Sequence, residues 1–344
     1  MVRKHPDRQE VSTNTSTNTI ALFNNKGGVG KTSLLYHLAH MFAYEGLRVV
    51  AADLDPQANL TGMFLDDSRM EALWSSDEPV TMYSAMRPLM TGTGDVLKLV
   101  PEQITEQLFL LPGDLRLSEV EDELSTQWPM CLSRNKNHRA FRVTAAFHRM
   151  IQAASEELGA DIALIDVGPN LGAINRCALV AADHVVIPIG ADLFSIQGLQ
   201  NVGRRLRDWR KEWADRRERA PGDLGFHVPP AGMRPIGYVV SRYSSFAKRA
   251  TKAFQRWLDK VPKVYADSVL QETTAPRDIA SDPNNLAQLK DYRSLMPMAQ
   301  EARKPMFLLK SADGVIGGHQ AAVQACFDDF QALANEIRKR ANIV

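Results

Sequence analysis

Residues 20–33 read IALFNNKGGVGKTS, and the rest of the chain is organised around them. Residues 20–24, four apolar residues followed by Asn24, have the composition of a buried strand, and the pattern becomes helical after Lys31 and Thr32. A strand, a glycine loop, a Lys-Thr pair and a helix form the arrangement that wraps a nucleoside triphosphate. The glycines let backbone N–H groups converge on phosphate oxygens, because no Cβ stands in the way.

The loop predicts a definite set of contacts with a triphosphate and Mg²⁺. Lys31 is placed to reach the β- and γ-phosphates, and the Thr32 hydroxyl to ligate Mg²⁺. The positive end of the helix dipole lies under the same phosphates. We therefore predict that the nucleotide-binding residues are Lys26, Gly27, Gly28, Val29, Gly30, Lys31, Thr32 and Ser33.

The loop departs from the common pattern G-x-x-x-x-G-K-[ST], which has glycine where this chain has Asn25. It carries a second lysine, Lys26, just before the paired glycines. KGGVGKT with this early lysine resembles the deviant Walker A loop of the ParA/MinD family of ATPases. The resemblance implies ATP and Mg²⁺ as ligands, and an ATP-bound homodimer in which Lys26 crosses into the partner's active site. The alternative is that Lys26 is only a solvated loop lysine.

Two later strands end in carboxylates. Residues 49–52 are an apolar run followed by DLDPQ, which puts Asp53 and Asp55 where α/β sheets carry their chemistry. Residues 162–166 are a buried strand ending in Asp166, whose carboxylate can hold the Mg²⁺ water shell opposite Thr32. The resemblance implies that Asp53 lies near Mg²⁺ and that Asp55 orients the attacking water, although Asp-Pro is also a plain turn signal. We therefore assign Lys26, Lys31 and Asp55 as catalytic residues, and Thr32, Asp53 and Asp166 as metal-binding residues.

The segment after Asp166 differs from the family pattern. The family usually continues with two prolines, whereas this chain has Val167, Gly168 and Pro169. We expect this glycine to loosen the segment that the family calls switch II. The acid itself is retained.

Two stretches of the chain are rich in basic residues. Residues 203–219 interleave arginines with Trp209 and Trp213, a composition that suits phosphate contact as well as a solvated helix face. Residues 242–260 carry a second cluster that is nearly unopposed by acids. In DNA-binding members of the family, basic residues from these two regions form a sequence-independent DNA surface. The candidate DNA contacts are Arg204, Arg205, Arg207, Lys248, Arg249 and Lys252.

Composition limits the other possibilities. The net charge of +1 means that any basic surface must be local. The three cysteines show no C-x-x-C spacing, which fits a reducing cytosol and argues against a metal cluster. No apolar run approaches the roughly 20 residues of a membrane span. Residues 1–19 are rich in Thr, Asn and Ser, have no signal-peptide core, are too short to add a DNA-binding domain, and are expected to be disordered.

The sequence as a whole predicts a single-domain α/β P-loop fold over residues 20–344, with a mostly parallel twisted sheet and helices on both faces. Residues 139–158 and 320–340 are expected to be helices. The family resemblance covers residues 66–107 and 262–297 poorly.

The resemblance implies a Mg²⁺-dependent ATPase that positions or partitions DNA or other cargo by cycling on non-specific DNA. It further implies a ParB-like stimulating partner or cargo adaptor, and a cytoplasmic location, on the nucleoid if the protein binds DNA. Two alternatives stay open: an ATP-dependent switch with slow turnover, and a MinD-like positioning ATPase at the membrane surface.

Overall fold

The strand that precedes the glycine loop is apolar on both faces. The structure, a computed structural model, describes residues 17–76, 78–134, 137–190, 192–243, 255–292 and 294–343. Ile20 and Leu22 pack into one hydrophobic cluster, and Ala21 and Phe23 pack into another. Strands buried on both faces are typical of a parallel sheet covered by helices on each side.

The described residues form one eight-stranded sheet. Its strands are β1 Asn18–Leu22, β2 Val49–Asp53, β3 Glu102–Gln103, β4 Leu108–Leu111, β5 Ile162–Asp166, β6 His184–Ile189, β7 Arg234–Tyr243 and β8 Asn285–Lys290. They lie in the order β3-β4-β2-β5-β1-β6-β7-β8, and every neighbouring pair is parallel except β3 with β4. This confirms the predicted mostly parallel α/β fold.

Helices cover both faces of the sheet. In the described part of the chain they are α1 Lys31–Tyr44, α2 Asn59–Phe64, α3 Asp67–Trp74, α4 Met82–Thr91, α5 Glu121–Met130, α6 His138–Thr144, α7 Ala146–Leu158, α8 Ala173–Val180, α9 Leu193–Arg217, α10 Val261–Tyr265, α11 Leu295–Ala302 and α12 Gly318–Ala341. Helices α1, α2, α3, α11 and α12 contribute to the cluster around Leu22. Helices α4 to α10 contribute to the cluster around Phe23. Each face of the sheet therefore has its own core.

Several element boundaries differ from those predicted. Strand β1 begins at Asn18, two residues early, and the Thr17 hydroxyl donates to the Ala160 carbonyl at 3.2 Å. The disordered tail predicted for residues 1–19 is therefore wrong for residues 17–19, and residues 1–16 lie outside the described residues. The helix predicted over 139–158 is two helices, because the chain turns at Ala145 between α6 and α7. Strand β8 was not predicted, since it is a polar edge strand within the poorly matched segment 262–297.

The sheet order brings the three predicted site segments together. β5 lies between β2 and β1, and the register pairs Asp166 with Asp53 on one side and with Leu22 on the other. The glycine loop follows β1 directly. The loop and both carboxylates therefore meet at the carboxyl edge of the sheet, where doubly wound folds bind their ligands.

Candidate nucleotide-binding site

The glycine loop has a backbone that only glycine adopts easily. Gly28 and Gly30 have φ angles of +73° and +85°, and Gly30 caps α1, which begins at Lys31. The Asn24 side chain anchors the loop, since its amide donates to the Pro188 carbonyl at 2.7 Å and its oxygen accepts the Lys26 N–H at 3.0 Å. The loop therefore presents backbone N–H groups and a helix N-terminus to one space.

Lys31 is a buried cation, with 7% of its surface exposed. Its Nζ lies 3.5 Å from the Lys26 carbonyl, and within the described residues it forms no ion pair closer than 4.0 Å. Burial lowers the pKa of Lys31, and the carboxylates of Asp166 and Asp55 offset part of that effect. A desolvated ammonium beside an open phosphate loop is arranged to receive an anion.

Asp53 is fully buried, and its carboxylate already has several partners. One oxygen accepts the Thr61 N–H at 2.8 Å and the Thr61 hydroxyl at 2.7 Å, and the other accepts the Asp55 N–H at 3.2 Å. Gly113 lies against it so closely that a Cβ there would come within 2.8 Å of the Asp53 side chain. Asp53 thus ties β2 to α2, and it has little capacity left to bind a metal directly.

Asp166 is also fully buried, but neither of its side-chain oxygens has a hydrogen-bond partner among the described residues. Burial raises the pKa of Asp166 well above its usual value, and the charge of Asp53 raises it further. The Thr32 hydroxyl offsets part of this rise without reaching hydrogen-bonding geometry. Unsatisfied buried carboxylate oxygens next to a threonine hydroxyl fit the oxygen-only donor set of Mg²⁺.

Asp55 lies between the loop and the segment that follows β5, and it is 6% exposed. One of its oxygens accepts the Gln57 N–H at 3.0 Å. A Cβ on Gly168 would stand 3.2 Å from the same oxygen, so the glycine leaves room for Asp55 where a second proline would crowd it. Asp55 therefore lies at the site, and it also forms the turn that the Asp-Pro sequence predicted.

The segment after β5 is held more firmly than the glycine suggested. The buried Asn175 amide donates to the carbonyls of Gly168 and Asn170, both at 2.8 Å. The Glu121 carboxylate accepts the first N–H groups of α8, from Ala173 at 2.5 Å and Ile174 at 2.9 Å. The predicted loosening is therefore corrected, because two side chains fix the segment from outside it.

Lys26 lies at the outer edge of the loop and points away from the carboxylates near Lys31. Its Nζ donates to Asp192 at 2.5 Å and to the Ser195 hydroxyl at 3.2 Å. Its side chain is 28% exposed and that of Asp192 is 44% exposed. The hydrogen bond from Lys26 and the N–H of Ser195 lower the pKa of Asp192, outweighing the rise that partial burial causes. Lys26 is therefore not an unattached solvated lysine.

The predicted DNA contacts divide into two groups. Arg204 and Arg205 are exposed on α9, whereas Arg207 donates to the Ser268 carbonyl. Lys248, Arg249 and Lys252 lie outside the described residues. The interleaved tryptophans are a correction to the sequence analysis: Trp209 packs on Phe23, and Trp213 stacks on Trp128 with ring centroids 5.7 Å apart. They belong to the core and offer no stacking surface.

Four side chains that shape the site were not predicted from the sequence. Thr61, Glu121 and Asn175 each bind a site segment through the hydrogen bonds above, and Asp192 binds Lys26. Asp192 had a local signal, because aspartate is a preferred helix N-cap residue and the helical pattern begins directly after it. Glu121 had none, since it lies 52 residues from Ala173. Thr61 and Asn175 lie within eight residues of the groups they contact, but no sequence motif predicts these hydrogen bonds.

Comparisons with known proteins agree with this geometry. A family model described as "AAA domain" matches residues 17–217, more than half of the chain. The sporulation initiation inhibitor protein Soj of Bacillus subtilis is 29% identical over 189 residues, which are 55% of this chain and 64% of Soj. The chromosome partitioning protein ParA of Caulobacter vibrioides is 28% identical over 188 residues, which are 54% of this chain and 61% of that protein. The chain belongs to the ParA-like family of P-loop ATPases.

The fold of this ParA-like chain also matches a solved structure. Protein DIP2308 from Corynebacterium diphtheriae superposes with a TM-score of 0.67 at 24% identity, covering 94% of this chain and 98% of that one. At this identity the match shows the fold alone. The sequence matches span less than two thirds of the length of either Soj or ParA.

The ParA-like chain has no helix, within its described residues, that is long and apolar enough to cross a membrane. The C-terminal helix α12 uses its apolar side inside the protein, where Phe330, Leu333 and Ile337 are buried. These residues belong to the hydrophobic core on that face of the sheet.

Proposed function

We propose that this chain is a Mg²⁺-dependent ATPase that forms a homodimer with ATP bound between the two copies. The observation that carries the proposal is the different placement of the two loop lysines. Lys31 is buried behind the loop, near Asp166 and Asp55, whereas Lys26 stands at the partly exposed outer edge. One lysine serves the chain's own phosphates, and the other is placed to serve those of a second copy.

In this proposal the loop residues 26–33 bind the triphosphate. Their N–H groups and the N-terminus of α1 surround the phosphates, and Lys31 neutralises the β- and γ-oxygens. Burial lowers the pKa of Lys31, and the negative charge of a bound triphosphate would offset that effect by attracting the ammonium. This attraction would contribute to the affinity for ATP.

Thr32 and Asp166 are the residues proposed to hold Mg²⁺ and its water shell. Mg²⁺, when bound, would neutralise charge that develops on the phosphoryl oxygens. Asp53 is proposed not to bind Mg²⁺ directly, since its oxygens already accept hydrogen bonds from Thr61 and from the Asp55 N–H. Asp53 thereby fixes the turn that carries Asp55.

Asp55 is proposed to orient the water that attacks the γ-phosphate. Its carboxylate is nearly buried and borders both the 53–58 turn and the Gly168 segment. A carboxylate held in this position can accept a proton of the water and fix its direction of approach. The 53–58 turn and the Gly168 segment would then both lie beside the γ-phosphate.

The face around Lys26 has a further property suited to dimerisation. Phe194 in the first turn of α9 is 68% exposed, two residues from Asp192. A large exposed aromatic side chain beside charged groups is the usual composition of an interface anchor. We propose that Phe194 is part of the surface that a second copy would cover.

Non-specific DNA is the proposed surface on which the dimer cycles. Arg204 and Arg205 project from α9 into solvent, and a dimer would double their number. A ParB-like stimulating partner or cargo adaptor, and a cytoplasmic location on the nucleoid, belong to the same proposal. The names of the relatives, which include a chromosome partitioning protein, support partition as the process.

The test compares the two lysines in a background that cannot turn over. With Asp55→Ala present, the dimer should accumulate in Mg-ATP, and adding Lys26→Ala should abolish it while leaving ATP affinity within a few-fold. Lys31→Ala should instead lose ATP binding, which is measured with a labelled ATP analogue. Light scattering reports assembly. A Lys26→Ala, Asp55→Ala protein that dimerises as tightly as Asp55→Ala alone would refute the proposed sandwich.

A further inference from the structure

Lys26 forms a compact intramolecular contact with the first turn of α9. Its Nζ lies 2.5 Å from Asp192 Oδ2 and 3.2 Å from Ser195 Oγ. Asp192 Oδ1 accepts the Ser195 N–H at 2.9 Å, and the Ser195 hydroxyl accepts the Gly190 N–H at 3.2 Å. The lysine therefore meets a preformed helix cap, with both acceptors already oriented by the backbone.

The loop side of the contact is fixed as well. The Lys26 N–H donates to Asn24, and Gly198 of α9 packs so closely against the loop that a Cβ there would lie 3.2 Å from Asn25 Oδ1 and 3.3 Å from Asn24 Oδ1. The main chain on both sides of the contact is therefore already in the position that holds the lysine. Movement of its ammonium toward a second subunit, in contrast, requires both side-chain hydrogen bonds to break.

We propose that Asp192, with Ser195, is a positioning residue that holds Lys26 on its own subunit, and that this contact opposes dimerisation until the partner's triphosphate displaces it. The inference rests on the proposed ATP-bound dimer and adds the element that regulates it. Asp192 and the partner's phosphates are both anionic groups that compete for one ammonium. The lysine is therefore neutralised in the monomer and is not left as an unpaired charge.

The exposure of the pair determines the size of the effect. The two side chains are 28% and 44% exposed, so solvent screens their attraction and the pair can open readily. Two such pairs break when a symmetric dimer forms. Partly exposed ion pairs change an equilibrium by about 1.4- to 5-fold each, so removing both should tighten the dimer by about 2- to 30-fold.

The substitution that tests this is Asp192→Asn. Asparagine is an equally good N-cap, and its oxygen can still accept the Ser195 N–H, so α9 keeps its start while the negative charge is removed. The matched control is Asp278→Asn. Asp278 also accepts the N–H and the hydroxyl of a serine three residues later, at 2.9 Å each, and no lysine contacts it in the described structure.

The dimer dissociation constant is measured by sedimentation in Mg-ATP, with Asp55→Ala present in every protein. We expect Asp192→Asn to lower it by about 2- to 30-fold and Asp278→Asn to leave it unchanged. ATP affinity is measured in parallel, so that a change in nucleotide binding is not taken for a change in assembly. An unchanged or weaker dimer for Asp192→Asn overturns the inference and leaves the proposed function intact. Proteins that bind ATP and never dimerise refute the proposed function, and the inference with it.

A second measurement examines the contact without nucleotide. Trace labelling with acetic anhydride, read by mass spectrometry, reports how available each lysine amine is. Lys26 should react more in Asp192→Asn than in the parent protein, while Lys211, exposed on α9, should react equally in both. Equal labelling of Lys26 in the two proteins would overturn the proposal, because it would show that Asp192 does not hold the amine.

Discussion

Asp53 and Asp166 are register partners on the neighbouring strands β2 and β5, and both side chains are fully buried. Asp53 is satisfied by Thr61 and by the Asp55 N–H, whereas Asp166 has no hydrogen-bond partner in the described part of the chain. Two carboxylates in one dry space repel each other, and burial disfavours the charge of each. A divalent cation at this edge of the sheet would offset that repulsion.

Replacing Asp166 with asparagine should separate stability from function. We expect Asp166→Asn to raise the free energy of unfolding, measured without nucleotide, by about 1–3 kcal/mol, since it removes a buried carboxylate that Asp53 repels and that no hydrogen bond satisfies among the described residues. Urea denaturation in EDTA measures this. Mg²⁺ should no longer strengthen binding of an ATP analogue. Asp208→Asn, at an exposed position on α9, is the control and should change neither quantity. A destabilised Asp166→Asn protein would show that this carboxylate is paired in solution.

Removing the Asp55 carboxylate should slow hydrolysis while preserving ATP binding. We expect Asp55→Ala to reduce the single-turnover rate by about 10²- to 10⁴-fold, because the water is no longer oriented while the phosphates stay bound. Gln57→Ala is the control, since only the Gln57 backbone contacts Asp55 and its side chain is exposed. If Asp55→Ala turns over as fast as the parent, Asp55 is only a turn residue. A slow parent enzyme would favour the switch alternative.

Charge reversal on α9 should weaken binding equally for DNA of any base sequence. Arg204→Glu with Arg205→Glu should reduce the ATP-dependent affinity for random duplex, and the log–log salt slope should fall by about 0.9 for each phosphate that the protein no longer neutralises. Fluorescence anisotropy over a salt series measures both. Lys339→Glu, at an exposed position on α12, reverses a charge on another helix and should have little effect. An equal reduction of affinity in both proteins would indicate only a general charge effect.

The stability of the protein should depend on pH through His37, a fully buried ring on α1. Its Nδ1–H donates to the Ser33 carbonyl at 2.7 Å, and its Nε2 accepts the Met306 N–H at 3.1 Å, which requires the neutral ring. Burial lowers its pKa from 6.5 to about 4. The unfolded chain therefore binds a proton that the folded chain excludes, and stability present above pH 6.5 is lost as the pH falls toward 4.

This group alone should contribute a slope of about 1.4 kcal/mol per pH unit across that range. Urea denaturation at several pH values gives the slope. His37→Gln should be less stable overall and show a shallower slope, whereas His227→Gln, at an exposed loop position, should keep the slope of the parent. A slope that His37→Gln leaves unchanged would contradict the assignment.

Local pattern was enough to predict the glycine loop, the parallel sheet and the carboxylates at its edge. Each of these follows from residues close in sequence, and strand order then brings Asp53 and Asp166 together. The side chains that support the site could not be predicted. Glu121 lies 52 residues before the Ala173 N–H that it accepts, and the contacts of Thr61 with Asp53 and of Asn175 with Gly168, eight and seven residues apart, match no sequence motif. Edge strand β8 was missed for a related reason, since its polar residues carry little of the hydrophobic signal that marks buried strands.

Helix α9 shows that composition alone does not predict which side chains of a helix are buried. Its arginines and tryptophans looked like one mixed surface in sequence, but the fold separates them. The tryptophans turn inward, while Arg204 and Arg205 turn outward. Only the packing of α9 on the sheet decides which side chain meets solvent.

The Glu121 cap on α8 has a consequence for building chimeras. Glu121 lies 52 residues before Ala173 and follows one of the two segments that the family resemblance covers poorly, yet it accepts the first two N–H groups of the helix after β5. A Cβ on Gly172 would come within 2.6 Å of its carboxylate, so acid and glycine fit as a pair. A relative's version of this region could be grafted here only if it brought its own acid to the same place.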